Sequence, residues 1–126
     1  MNATRSLLRE YVSRSLLAVF LVAATATAVS AHHGWSAYDA KKAIVVTAAL
    51  RDVQWRNPHA EATIDHEGKA WTVVLAPIAR MQARGLTAEM LTDGVSATLE
   101  GYPRSDGTPE MRLERITVAG KTVELR

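Results

Sequence analysis

Hydrophobic and polar positions change rhythm several times along this chain, and each change marks an element. Residues 15–29 form an apolar run without a charge, preceded by Arg5, Arg9 and Arg14. From residue 43 a β-branched stretch begins, Ile44, Val45, Val46 and Thr47 leading to Leu50. Val53 and Trp55 then alternate with Asp52, Gln54 and Arg56, the pattern of a half-buried strand. Asn57 and Pro58 end it, because proline lacks a ladder N–H and restricts its predecessor. Ala62 and Ile64 alternate with polar neighbours, Glu67 and Gly68 turn the chain, and Trp71, Val73 and Leu75 return, which predicts a hairpin. Pro77 suits a helix first turn, Ile78, Met81 and Gln82 follow with helical spacing, and Gly85 closes the segment. Thr87 is placed to cap a further turn running to Leu91. Beyond the Asp93–Gly94 turn, Val95, Ala97 and Leu99 form one strand and Met111, Leu113, Ile116 and Val118 another, with a loop at 105–108. Gly120 and Lys121 turn into a short tail at 122–125.

Three strands, a helix and two or more strands is the chain order of the OB-fold, a five-stranded Greek-key barrel. The expected fold is therefore mainly β: a small five-stranded OB-like barrel over 43–126, with one short helix between strands 3 and 4. An open antiparallel sheet with one helix is the alternative, and barrel closure is favoured because it removes exposed edges. The 32–42 segment carries Trp35 and Tyr38 without a period and reads as an extended lead-in.

The apolar run at 15–29 falls short of the roughly 20 residues that span a bilayer as a helix. With its arginine-bearing flank and small residues behind it, 1–31 has the layout of a signal peptide. Cleavage fits after Ala31 or after Ala28. The first makes His32 the free N-terminus. A periplasmic or secreted destination follows, with no stable membrane anchor after cleavage.

With 126 residues, 48% of them apolar, the chain has room for one small core, which excludes a multidomain enzyme. The formal charge of +2 shrinks to balance once the leader's three arginines and its one acid, Glu10, are set aside. Arg80, Arg84, Arg104, Arg112 and Arg115 are interleaved with acids and read as solvated faces, so no nucleic-acid track is expected. Cysteine is absent, which removes disulfides and thiolate sites.

The remaining chemistry lies in the histidines. His32 and His33 are adjacent, and an N-terminal histidine adds its amine to the imidazole, a nitrogen set suited to Cu(II). His59 follows the Asn57–Pro58 turn beside Trp55 and Arg56. His66, at the hairpin tip, is expected on the surface. Trp71 reads as core, and Trp55 shares a face with Val53.

His32-His33-Gly34-Trp35-Ser36, Tyr38-Asp39, Val53-x-Trp55-x-Asn57-Pro58-His59, Trp71-Thr72-Val73, Arg80-Met81, Arg84-Gly85-Leu86 and Gly101-Tyr102-Pro103 together make a recognisable set. On these residues the chain resembles a bacterial exported family known only as domain of unknown function number 6152. The resemblance spans the chain from about His32 onward. It implies export and a small β-rich domain, and maps the family's recurrent histidines onto His32, His33 and His59 without a ligand role or an activity.

Two functions of different class compete. One is a non-enzymatic periplasmic protein that binds a transition metal, copper, through His32, His33 and His59. The other is a metal-free envelope interaction module that binds a protein or a glycan, with Trp35, Tyr38, Trp55, Arg56 and Asn57 on its recognition surface. A histidine-brace oxidase at His32 ranks below both, since so short a chain leaves little surface for a substrate cleft.

Overall fold

The computed structural model describes residues 33–126; the proposed leader and His32 lie outside them. The chain divides after Ser36 into two units. Of the first, one helical turn is described, α1 (His33–Ser36), so the lead-in expected to be extended is helical at its start. The second unit, from Ala37 onward, is mainly β, as expected.

Seven strands are present where five were expected: β1 (Ile44–Ala49), β2 (Arg51–Gln54), β3 (Glu61–His66), β4 (Lys69–Val74), β5 (Ser96–Pro103), β6 (Glu110–Val118) and β7 (Lys121–Glu124). Two departures account for the difference. The long first strand breaks at Leu50, whose buried side chain enters the core while its N–H and C=O bond Val95 and Gly94. Asp52 then takes a left-handed conformation, φ 49°, and the Val53 N–H bonds Asp93 Oδ1 at 2.9 Å. The chain thus leaves β5, its partner along β1, and joins β3, its partner along β2. The second departure is the tail, which forms a full strand on β6.

The pairing path runs β1-β5-β6-β4-β3-β2, antiparallel except for β4 with β6, and β7 adds to β6. The path's two ends are consecutive pieces of chain, so the sheet curls around one core containing Leu50, Ile64, Val73, Met81, Leu99, Met111, Leu113 and Ile116. The predicted hairpin forms as β3 and β4, turning through Glu67 and Gly68, both at positive φ.

The predicted helix is α2 (Ile78–Ala83). Gly85, φ 77°, ends it: its N–H bonds the Gln82 carbonyl and the Leu86 N–H bonds Met81. Met81 before that reversal and Leu86 after it are both buried in the core. A 3₁₀ turn (Ala88–Met90) follows Thr87, which makes no side-chain capping bond. Gly101 has a packing reason. A Cβ there would run into the backbone of Arg112 and Leu113 across a ladder irregularity, so only glycine lets β5 approach β6 at this point.

Candidate functional site

The link from β2 to β3 carries Trp55, Arg56, Asn57, Pro58 and His59, with the Asn57–Pro58 peptide cis. Ala60 pins its end: its N–H bonds the Ala76 carbonyl, and its carbonyl takes the Leu75 N–H. His59 is thereby fixed one residue from a doubly tied backbone. Trp55 packs half-buried against the core, whereas Arg56 and Asn57 are exposed. Arg56 reaches Glu61 at 3.5 Å.

Across from this turn, β6 places Met111 and Leu113 in the core and directs Arg112 to the other face. There Arg112 lies in register with Val74 on one side and Tyr102 on the other. It is only 9% exposed. Its Nη2 stands 3.3 Å from His59 Nε2. A guanidinium has donors only, so the imidazole nitrogen accepts, and the ring is the neutral tautomer protonated at Nδ1. Burial, followed by the positive charges of Arg112 and then Arg80, holds His59 below the usual imidazole pKa against the opposing pull of Glu61. Burial likewise lowers the Arg112 pKa.

A second group borders the first. The Tyr38 hydroxyl donates to Glu110 Oε1 at 2.5 Å, and Arg104 Nη1 approaches the same oxygen at 3.5 Å while its Nε bonds Asp106. Tyr38 and Arg104 form a β-bridge, flanked by bonds from the Asp39 N–H to Pro103 and from the Ser105 N–H to Ala37. The lead-in is thus clasped to the base of the β5–β6 loop. Burial, then the bond to Glu110, pushes the Tyr38 hydroxyl up to about 12, and the positive field of Arg112 opposes that rise.

The structure therefore brings His59 together with Arg112, in reach of Arg80 and Tyr38. Tyr38, one of the residues expected on a recognition surface, bonds Glu110 and joins the lead-in to the β5–β6 loop. His33 opens α1 and Trp35 lies within it, in the unit described separately. Among the described residues, no three of His, Asp and Glu are grouped to hold a metal ion. His66 departs from its expected surface position: its side chain is 19% exposed and meets Trp71 edge-on, ring centroids 5.3 Å apart. Trp71 Nε1 is buried without a hydrogen-bond partner.

Arg112 is the residue that sequence reasoning missed, since it was assigned to a solvated face. Its alternation with Met111 and Leu113 gives its direction, outward from the core. The cover over that face comes from elements distant in sequence. Arg115, three residues on, does follow the solvated pattern, bonding Glu100 and Glu124.

No curated protein matches this chain. A family model does match, over residues 19–112, and it takes in the His32–His33 pair, the Asn57–Pro58–His59 turn and Arg112. The chain belongs to the family of unknown function DUF6152.

Proposed function

We infer that this chain is an exported, non-enzymatic binding module of OB type that recognises an anionic glycan without a metal. The OB reading is supported by the pairing order. With β1 and β2 counted as one bent strand, first pairs with second and fourth, third with second and, in parallel, with fifth, and fifth with fourth. The helix lies between third and fourth, and β7 is an addition. OB-folds bind oligosaccharides and oligonucleotides with the loops between strands 1 and 2 and between strands 4 and 5. Here those loops carry Arg56, Asn57 and His59, and Arg104 and Asp106.

The observation that carries the reading is the contact between His59 and Arg112. A neutral imidazole held by a guanidinium, with Arg80 adding to the positive field, favours an anionic group over a cation. Exposed Arg56 and Asn57 add forked and amide hydrogen-bond donors at the rim.

Affinity electrophoresis through gels containing a carboxylated glycan such as alginate, in EDTA, tests this. Retardation is expected, and an Arg56→Ala, Asn57→Ala double variant should lose most of it. Mobility equal to that in plain gel would end the proposal.

The competing reading, copper held by His32, His33 and His59, makes the opposite demand, because the Nε2 lone pair of His59 must turn from Arg112 to a cation. It predicts Cu(II) uptake that weakens in a His33→Ala, His59→Ala variant. Affinity would fall steeply as pH drops below about 6.5, where protons compete for the imidazoles.

A further inference from the structure

Strand β1 is an edge of an unusual kind. No charge occurs between Lys42 and Arg51, and four of the residues from Ile44 to Thr47 are β-branched. Edge strands in soluble proteins are normally blunted by charge, proline, bulges or a covering element. At the far side of the same sheet, the end of β7 and the two residues after it are held by arginines. Arg84 Nη1 bonds the carbonyls of Glu124 and Arg126, and Arg80 Nη1 bonds that of Leu125. Among the described residues, no side chain bonds the backbone of β1.

One side of β1 is paired to β5 along its whole length. On the other side, the register that pairs Arg51 with Thr63, if continued, would bring His66 opposite Ala48, and β3 ends at His66. Residues 44–47 therefore run past the end of β3. Val45 projects from this stretch at 64% exposure, the one large exposed hydrophobic among the described residues.

We propose that this free edge is the interface of a homodimer in which two copies pair β1 antiparallel about a two-fold axis at Val45. Directly opposed residues of an antiparallel pair share a face. That register sets Val45 against its own symmetry mate on the outer face and Ile44 against Val46 on the core-facing side. The pairing ends with Ala43 opposite Thr47, short of β3, and the turn closed by the Lys42 N–H on the Asp39 carbonyl brings Lys41 and Lys42 beside the other copy's β3–β4 turn. Glu67 stands there 76% exposed, beside an Asp65 that Arg51 already pairs at 2.6 Å, so Glu67 gives the opposite charge at both ends of a symmetric contact.

Neighbouring registers fit less well. An axis at Val46 opposes Lys41 to Arg51. An axis at Ile44 drives Lys42 against Val46 on the apolar face, and an axis at Thr47 extends the incoming strand into the space of β3.

Opposed residues of an antiparallel pair have Cα atoms about 4.5–5.5 Å apart, within the range a disulfide spans. The chain has no cysteine, so Val45→Cys reports on the axis directly. With the protein purified as its host processes it, a thiol oxidant should join Val45→Cys into covalent dimers, while Gln54→Cys on β2 stays monomeric. In sedimentation equilibrium the wild type should be dimeric, and Val45→Lys, folded by circular dichroism because the position is exposed, should weaken the dimer by about tenfold or more. A wild type that remains monomeric at about 100 μM, Val45→Cys cross-linking no faster than Gln54→Cys, or a dimer untouched by Val45→Lys would each overturn the proposal. The glycan reading is unaffected by any of these results, since its loops lie elsewhere on the sheet.

Discussion

Two arginines three residues apart on β6 have opposite circumstances. Arg115 lies half-exposed between two carboxylates, bonding Glu100 at 2.9 and 3.0 Å and Glu124 at 2.9 Å. Those bonds and charges raise its pKa further, so the residue is locked as a cation that water can also reach. Arg112 is buried, and its nearest ring partner is a neutral imidazole that its own charge helps to keep neutral. Surface ion pairs contribute little because water already solvates both partners, whereas a buried charge is costly and must be organised by what surrounds it. The same side chain on the same strand thus acts as surface bracing at one position and as the centre of a polar site at the other. The ladder irregularity between Glu100 and Gly101 separates them.

The largest effect is expected from the buried partner. Arg112→Ala leaves His59 without its donor and opens space beside Val74 and Tyr102, which should cost on the order of 3 kcal/mol in urea unfolding. Arg112→Met restores apolar volume and should recover much of that stability. Glycan retardation should nevertheless stay lost in this variant. Retardation that survives Arg112→Met would reduce Arg112 to a packing residue like any other.

Next is the clasp beside it. Tyr38→Phe removes a hydrogen bond to a carboxylate while Arg104 still faces Glu110, and a loss of about 1.5 kcal/mol is expected. The ultraviolet titration of Tyr38, pushed up to about 12, should disappear from the wild-type profile in this variant.

The third effect is on pH dependence. His59 has a lower pKa in the folded protein than in the unfolded chain, so the unfolded state takes up the proton first. Its contribution is fully present above about pH 6.5 and is lost as pH falls from there through the folded-state value. Urea midpoints measured from pH 7.5 downward, in steps of about half a unit, should decline across that window, and His59→Gln should flatten the decline. An unchanged slope in the variant would contradict the lowered pKa of His59.

Arg115→Ala should have the smallest effect. The thermal midpoint should move least of the four, and the difference from wild type should shrink further as salt is added. A loss as large as that of Arg112→Ala would erase the contrast between the two arginines.

Much of this molecule was settled by local chemistry that a sequence displays. Alternation at Ala62, Ile64, Val73 and Leu75, the Glu67–Gly68 turn, Pro77 before the helix and Gly85 after it each depend on neighbours a few residues away, and each lies where the pattern puts it. The pairing of distant elements was not settled in that way. The break at Leu50 arises because its backbone bonds Val95 and Gly94 while its side chain enters a core assembled from every strand. The tail at 122–125 became a strand because β6 extends beyond its partner β4 and leaves a position for it.

The site divides along the same line. His59, Arg56 and Asn57 were visible as unusual chemistry on a proline turn. Tyr38 was visible too, but its commitment to Glu110 spans 72 residues. Arg112 was indistinguishable in sequence from Arg115, since both alternate outward from apolar neighbours. Burial is a property of what packs over a residue. Only the folded chain, which brings a turn more than fifty residues earlier against β6, makes one arginine a solvated brace and the other a buried charge facing an imidazole.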